Sequence, residues 1–295
     1  MADPIDLTGL SAPDAVEELD FELILSEIRA QLLGLAPELA NVLELESEPI
    51  NKLLEVGAYR EMIMRARAND SVRAVLLATA TGTDLENLAA LYGVIRQVVV
   101  AANPDATPPV AEIREDDAAL RQRTQLSLEA LTTAGTVGAY SFHALSADGR
   151  VRGMAVTSPA PGRVLITVLS HEAGGMPSAG LLAVVADALE DVRPLCDDPV
   201  VAAPSFTDFA VDATLILSHG PGAEVVQAAA RAAVQAYVAD ELAVGRVVRL
   251  TALLARLHQP GVESVVLTSP TSDIDPGRTG VARASSITIG HQVMS

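Results

Sequence analysis

The 295-residue chain is predicted to be an α+β protein, with an N-terminal helical region followed by two small α+β domains that each repeat strand, helix, strand. Three observations predict this. Apolar residues recur at helical spacing over residues 21–94. From Val151 onward the pattern changes to short β-prone runs separated by turn residues. That second pattern occurs twice, with a helix each time, which fits helices on one face of a small sheet. The expected boundaries are 1–146 for the helical region, 147–204 for the first α+β domain and 205–295 for the second.

Residues 1–19 are expected to be extended, with Pro4 and Pro13 breaking any helix. Asp20 is placed to cap a helix that Gly34 ends. Its stripe of Phe21, Ile24, Leu25, Ile28 and Leu32 has the three–four spacing of a bundle seam. So short a helix does not stand alone in water, so the stripe needs a cover, either in its own domain or on another subunit. Pro37 and Pro49 are expected to set it apart from the helices that follow.

The chain is organised around its next stretch, LELESEPINKLLEVGAYREMIMRARANDSVRAVLLATATGTDLENLAALYGV. Three helices are predicted on it. Ser47 is placed to cap the first, with Pro49 inside its first turn. Ile50, Leu53, Leu54, Gly57 and Ala58 share one face, and Val56, Tyr59, Ile63 and Ala66 form a second stripe beside it. Two apolar stripes imply burial on more than one side. Gly57 stands mid-helix, where glycine costs about 1 kcal/mol relative to alanine, so a close helix contact is expected there. A separate helix over residues 71–80 should end at Gly82, after which Thr83 and Glu86 form a capping box and Gly93 closes the third helix. The interface candidates are Phe21, Ile24, Leu25, Ile28, Leu32, Leu53, Leu54, Gly57 and Tyr59.

Residues 94–100 are β-prone, and NPDATPP is a proline-rich link. An acidic run from Glu112 leads into a helix ending near Thr132, and a shorter helix follows Gly135. A hairpin joins residues 151–157 to 164–170 through SPAPG. Ser178 is placed to cap a helix through Leu182, Val185 and Leu189, and residues 200–202 form a short strand. In the second unit Val211, Ala213, Leu215 and Leu217 alternate onto one face of a strand. HGPG is its turn, helices cover 224–240 and 250–257, and strands are expected at 262–267 and 286–289.

Composition narrows the function. Acidic residues outnumber basic ones by 38 to 20, for a net charge of −18. Binding a nucleic-acid backbone needs clustered Lys and Arg, so no direct nucleic-acid contact is expected. The single cysteine, Cys196, excludes an intrachain disulfide and fits folding in a reducing cytoplasm. MADPIDLTGL has no apolar core, so no signal peptide is expected, and no apolar run approaches the ~20 residues of a membrane span.

Catalytic signals are absent from the sequence. The five histidines form no HExxH pair, so no zinc site is expected. There is no GxSxG elbow. Gly220–Pro221–Gly222 lacks the lysine and hydroxyl of a phosphate loop and reads as a turn. Asp273, Asp275 and Gly277 hint at a calcium loop but lack its bidentate glutamate. An enzyme would have to assemble its site from scattered residues of the α+β domains, such as Asp148, His171 and Asp208. No cofactor is expected.

The blocks ESEPINKLLEVGAYREM and ARANDSVRAVLLATATGTDLENLAALYGV resemble the baseplate J family of contractile-tailed bacteriophages. The likeness continues in VEELDFELILSEIRAQL, GTVGAYSFHALSADGRVRGMAVTSPAPG and LLAVVADALEDVRPLCDDPVV. It runs from about Asp6 to about Ile274 and fades after Leu267. The resemblance implies a non-enzymatic wedge protein in the tail baseplate of a virion or a tailocin, assembled in the bacterial cytoplasm. It implies two copies joined to a smaller baseplate I-like partner in each wedge, with wedges ringing the hub and contacting the sheath. The N-terminal helices would form a bundle shared with that partner, and the C-terminal domains would link neighbouring wedges. The family has no catalytic residues to transfer.

Overall fold

A computed structural model describes residues 5–218 and 222–293. It is an α+β fold whose chain divides into two units, one of residues 3–95 with 117–122 and one of residues 96–116 with 123–295. His219, Gly220 and Pro221 of the predicted turn lie outside the described residues.

The first unit is helical. Helix α1 spans Phe21–Leu35. The Asp20 carboxylate accepts from the amides of Glu22 and Leu23 at 2.8 and 3.2 Å, satisfying two donors that the first turn leaves free. The helix continues through Gly34 and stops before Pro37, which cannot extend it. A 3₁₀ turn at Pro37–Leu39 and the single turn α2, Ala40–Leu43, then lead to α3, Pro49–Ala74. Pro37 and Pro49 therefore shape a return rather than a separation. Ile24, Leu25 and Ala58 are buried between α1 and α3, with Phe21, Ile28, Leu54 and Met62 packed around them. Two buried asparagines of α3 hold the segments that lead into the two helices. The Asn51 amide donates to the carbonyls of Leu43 and Leu45, while Asn69 exchanges two hydrogen bonds with the backbone of Glu17.

Three local expectations are corrected here. Ser47 does not cap α3: Glu48 occupies that position without a side-chain cap, and Pro49 at the first helical position needs no donor satisfied. No separate helix forms over residues 71–80. No glycine or proline interrupts residues 66–74, so α3 runs on to Ala74, and the chain then turns. The Thr79 hydroxyl donates to the Arg73 carbonyl at 2.7 Å, beside the Leu76 amide, and the Arg121 guanidinium holds the carbonyls of Leu77 and Ala80, both at 2.7 Å. Gly82 starts α4 (Gly82–Ala90) rather than ending a helix, so Thr83 lies inside the first turn and forms no capping box. The Asp117 carboxylate meets the Gly82 amide instead, at 3.1 Å. Gly93 does close this helix, at φ 71°, and the Val94 amide bonds the Ala89 carbonyl at 3.0 Å.

The second unit begins with a two-stranded antiparallel ribbon, β1 (Val98–Val100) and β2 (Ile113–Arg114). Helix α5, Asp117–Leu126, has its first six residues in the helical unit and ends earlier than expected, and the chain continues as a 3₁₀ turn at Ser127–Leu131. Helix α6, Val137–Ala147, is capped by the Thr136 hydroxyl. Strands β3 (Val151–Ala160) and β4 (Arg163–Ser170) form the expected hairpin. Helix α7 (Ala179–Glu190), capped by Ser178, carries the chain to β5 (Asp198–Ala202), which is parallel to β4. Ile166, Val168, Leu181, Val185 and Leu189 are fully buried in this core.

The last sheet has the order β7-β6-β8, with β6 (Ser205–Leu217) central, β7 (Val262–Ser269) antiparallel to it and β8 (Gly280–Val293) parallel. Helices α8 (Ala223–Asp240) and α9 (Leu250–Leu257) pack on the inward face of β6, where Val211, Ala213, Leu215 and Leu217 alternate as expected. Strand β8 is far longer than the predicted 286–289.

Arg150 ties the base of the β3–β4 hairpin. Its guanidinium bonds Asp148 at 2.9 Å and Glu172 at 2.9 Å. The Arg150 hydrogen bond holds the Asp148 carboxyl below its ordinary value, and the Ser178 amide, with Arg150 beside it, does the same for Glu172. Groups depressed in the folded state stabilise it above their unfolded values, and that stability is lost as pH falls through the folded values. The melting temperature is therefore expected to fall as pH drops below about 4.5, the ordinary glutamate value. Arg150→Met should flatten that part of a melting-temperature–pH curve, and an unchanged slope would place the acid sensitivity elsewhere.

Candidate interaction surface

The described residues hold no cluster of three or more His, Cys, Asp or Glu side chains able to bind a metal. Asp273 and Asp275, the calcium hint, have structural duties. Asp273 accepts from the Leu250 amide at the start of α9 and pairs with Arg249, both at 2.8 Å, and Asp275 accepts from the Gly277 amide. The scattered trio is divided among different partners. Asp148 pairs with Arg150, Asp208 pairs with Arg283 at 2.7 Å, and burial, aided by Arg152, holds His171 below the usual histidine value. A cavity of about 480 Å³ lies beside Tyr140 and His143, and two of its polar lining groups are committed to carboxylates behind the wall. The Tyr140 hydroxyl donates to Asp197 at 2.8 Å, and Arg193 pairs with Glu190 at 2.7 Å.

The surface that asks for a partner is on α3. The helix places its two predicted stripes differently. Leu54 and Ala58 face α1, whereas Leu53 and Gly57 face outward beside the second stripe. Leu53 is 72% exposed, Val56 58%, Tyr59 55%, Ile63 49% and Met64 73%. An apolar row of this length is more than the scattered exposed leucines of an ordinary surface.

The nine interface candidates divide accordingly. Ile24 and Leu25 are buried by α3 of the same chain, Phe21, Ile28 and Leu54 are partly buried against them, and Leu32 is half-buried. Leu53, Gly57 and Tyr59 are open to a partner. The close contact expected at Gly57 does not occur within the chain, because a Cβ built there meets nothing within 4 Å. Met64 and the arginines between the apolar residues were missed by sequence reasoning. The signal for the arginines was the three–four spacing of residues 53, 56, 60, 63 and 67, and Met64 lies four residues after Arg60 beside that row.

Three domain families match the chain in order: the baseplate J-like N-terminal domain over residues 46–103, the central domain over 132–203 and the C-terminal domain over 209–290. The chain is 47% identical over 277 residues to "Baseplate protein J" of Escherichia phage P2, covering 92% of each. The chain belongs to the baseplate J-like family. In solved structures it is similar to a chain of the cryo-EM structure of the anti-feeding prophage (AFP) baseplate, 6-fold symmetrised, with a TM-score of 0.41 and 17% identity. That overlap covers 62% of this chain and 47% of that one, so the chain spans about half the length of that structural relative. Within the baseplate J-like N-terminal domain match lie all of α3 and its outward row, whereas α1 lies before it.

Gly57 supplies a sharp test of the row. Gly57→Leu should raise the melting temperature of the free chain, because leucine is favoured over glycine in a helix interior by roughly 1 kcal/mol and space is open. The same bulk should impair association with other tail proteins in a pull-down. Unimpaired association would show that no partner approaches this part of α3.

Proposed function

We propose that this chain is a non-enzymatic wedge component of the baseplate of a contractile phage tail or tailocin. Two copies join one smaller baseplate I-like protein in a wedge, wedges ring the hub, and the ring couples host contact to sheath contraction. The likeness to phage P2 baseplate protein J along 92% of both chains carries this reading. The outward row on α3 supports it, since a lone subunit gains nothing from exposing five large apolar side chains.

In this reading the division of labour is 1–146 for the shared bundle, with 147–204 and 205–295 as arms to neighbouring wedges. Central and C-terminal family matches that part between residues 203 and 209 support the second boundary. Phe21, Ile24, Leu25, Ile28, Leu32 and Leu54 build the hairpin that presents Leu53, Gly57 and Tyr59 to the partner. The mechanism is mechanical. A ring of wedges with two alternative packings holds the sheath extended in one and releases it in the other. No cofactor, nucleic-acid contact or membrane insertion takes part. The protein is placed in the tail baseplate after assembly in the host cytoplasm.

Inactivating the gene tests this. Particles made without the protein should show tails lacking an assembled baseplate by electron microscopy, restored by the wild-type chain in trans. Complete, infective tails without it would overturn the reading.

A further inference from the structure

The outward face of α3 follows a heptad. Leu53, Arg60 and Arg67 fall at one seam position, and Val56, Ile63 and Asp70 at the other. The opposite side of the helix, through Leu54, Ala58 and Met62, is committed to α1. The seam therefore has coiled-coil spacing, large apolar residues in the open and two arginines within it.

Those arginines differ from their neighbours. Arg65 is surrounded by Glu61, Glu17 and Glu27 at 2.6, 3.5 and 3.6 Å. Lys52 pairs with Glu55 at 2.9 Å and Arg73 with Asp70 at 3.3 Å. Among the described residues, the exposed Arg60 and Arg67 guanidinium groups have no carboxylate in ion-pair range. In a chain of net charge −18, two unpaired cations in an apolar row match an acidic partner from outside.

We propose that this face takes an acidic amphipathic helix from a different chain, with its apolar residues between Leu53, Val56, Ile63 and Met64 and its carboxylates on Arg60 and Arg67. The proposal rests on reading α3 as the bundle-forming helix and adds the partner's chemistry. A parallel second copy of α3 is a poor occupant. In parallel register it would set Arg60 against Arg60 and Arg67 against Arg67, like charges at seam positions that select against self-pairing. A helix with glutamates at those positions and leucines between them meets both requirements.

The test uses the full chain and two fluorescent three-heptad peptides. Both carry leucine at every d position; one carries glutamate at every a position and its twin carries lysine. Anisotropy titrations should show the acidic peptide binding at least tenfold more tightly at low salt. The advantage should shrink near ~0.5 M salt, where screening acts within a few ångströms, and vanish in Arg60→Gln/Arg67→Gln. Equal binding of the two peptides, or none of either, overturns the proposal. So does self-association of the wild-type chain in sedimentation that Leu53→Asp removes. Co-assembly with tail proteins separates the proposal from its premise. If Leu53→Asp/Ile63→Asp loses co-assembly but Arg60→Glu/Arg67→Glu keeps it, the charge assignment fails and the bundle reading stands. If Leu53→Asp/Ile63→Asp co-assembles normally, the bundle reading fails and takes the proposal with it.

Discussion

Changing Leu53 and Ile63 together to aspartate is expected to weaken association with the proposed wedge partner by more than a hundredfold while leaving the melting temperature of the free chain nearly unchanged. The two halves of that expectation have separate causes. Leu53 is 72% exposed and Ile63 49% exposed, so neither supports the core of the free chain. In a bundle each would be buried, and burial of such a side chain contributes about 1.5–3 kcal/mol. Losing two gives roughly 3–6 kcal/mol, and each 1.4 kcal/mol is a factor of ten in affinity. Two carboxylates buried in an apolar seam add to the loss. Ile24→Asp would behave differently. That residue is 2% exposed between α1 and α3, so its substitution breaks the hairpin in the free chain and reports folding rather than association. A pull-down alongside a thermal melt distinguishes the two. A large drop in the melting temperature of the Leu53/Ile63 variant would show that the row belongs to the chain's own core.

Arg123→Leu is expected to destabilise the second unit by about 3–5 kcal/mol, the cost of leaving one partner of a buried ion pair uncompensated. Arg123 and Glu115 side chains are each 6% exposed and bond each other through two contacts, one of them at 3.1 Å. The pair is the centre of a polar knot. Glu115 also accepts from the Gln97 amide at 3.0 Å, Arg123 donates to the Ser146 hydroxyl at 3.2 Å, and the Gln97 side chain donates to the Ser146 carbonyl at 2.7 Å. It fixes the base of the β1–β2 ribbon, where the backbone also packs so closely that a Cβ on Gly149 would collide with the Val98 carbonyl. Replacing both Glu115 and Arg123 with leucine should recover most of the loss, since no charge is then stranded. Urea unfolding of the single and double variants measures this. Equal destabilisation by the two would show that the knot acts through its other hydrogen bonds.

The parts of this fold that were legible in the sequence are those with local physical causes. Asp20 and Ser178 sit before apolar helical runs, and the strand alternation from Phe209 to Leu217 needs only the two-residue period of a pleated strand. What was not legible depends on residues distant in sequence. Nothing near Thr79 announces that its hydroxyl ends α3 or that Arg121, more than forty residues on, fixes the turn after it. The parallel pairing of β8 with β6, the role of Asn51 and Asn69 and the Glu115–Arg123 pair are likewise long-range. At the candidate surface the periodicity found both stripes of α3. Which stripe faces out is set by α1 folding back through Pro37, and a single helix pattern carries no such information.

The most direct test is a cryo-EM reconstruction of the assembled tail tip. The expected density places this chain in a ring around the hub, with Leu53, Val56, Ile63 and Met64 buried against a helix of another protein. A tail tip that lacks this chain, or that leaves the outward face of α3 in solvent, would contradict the wedge assignment.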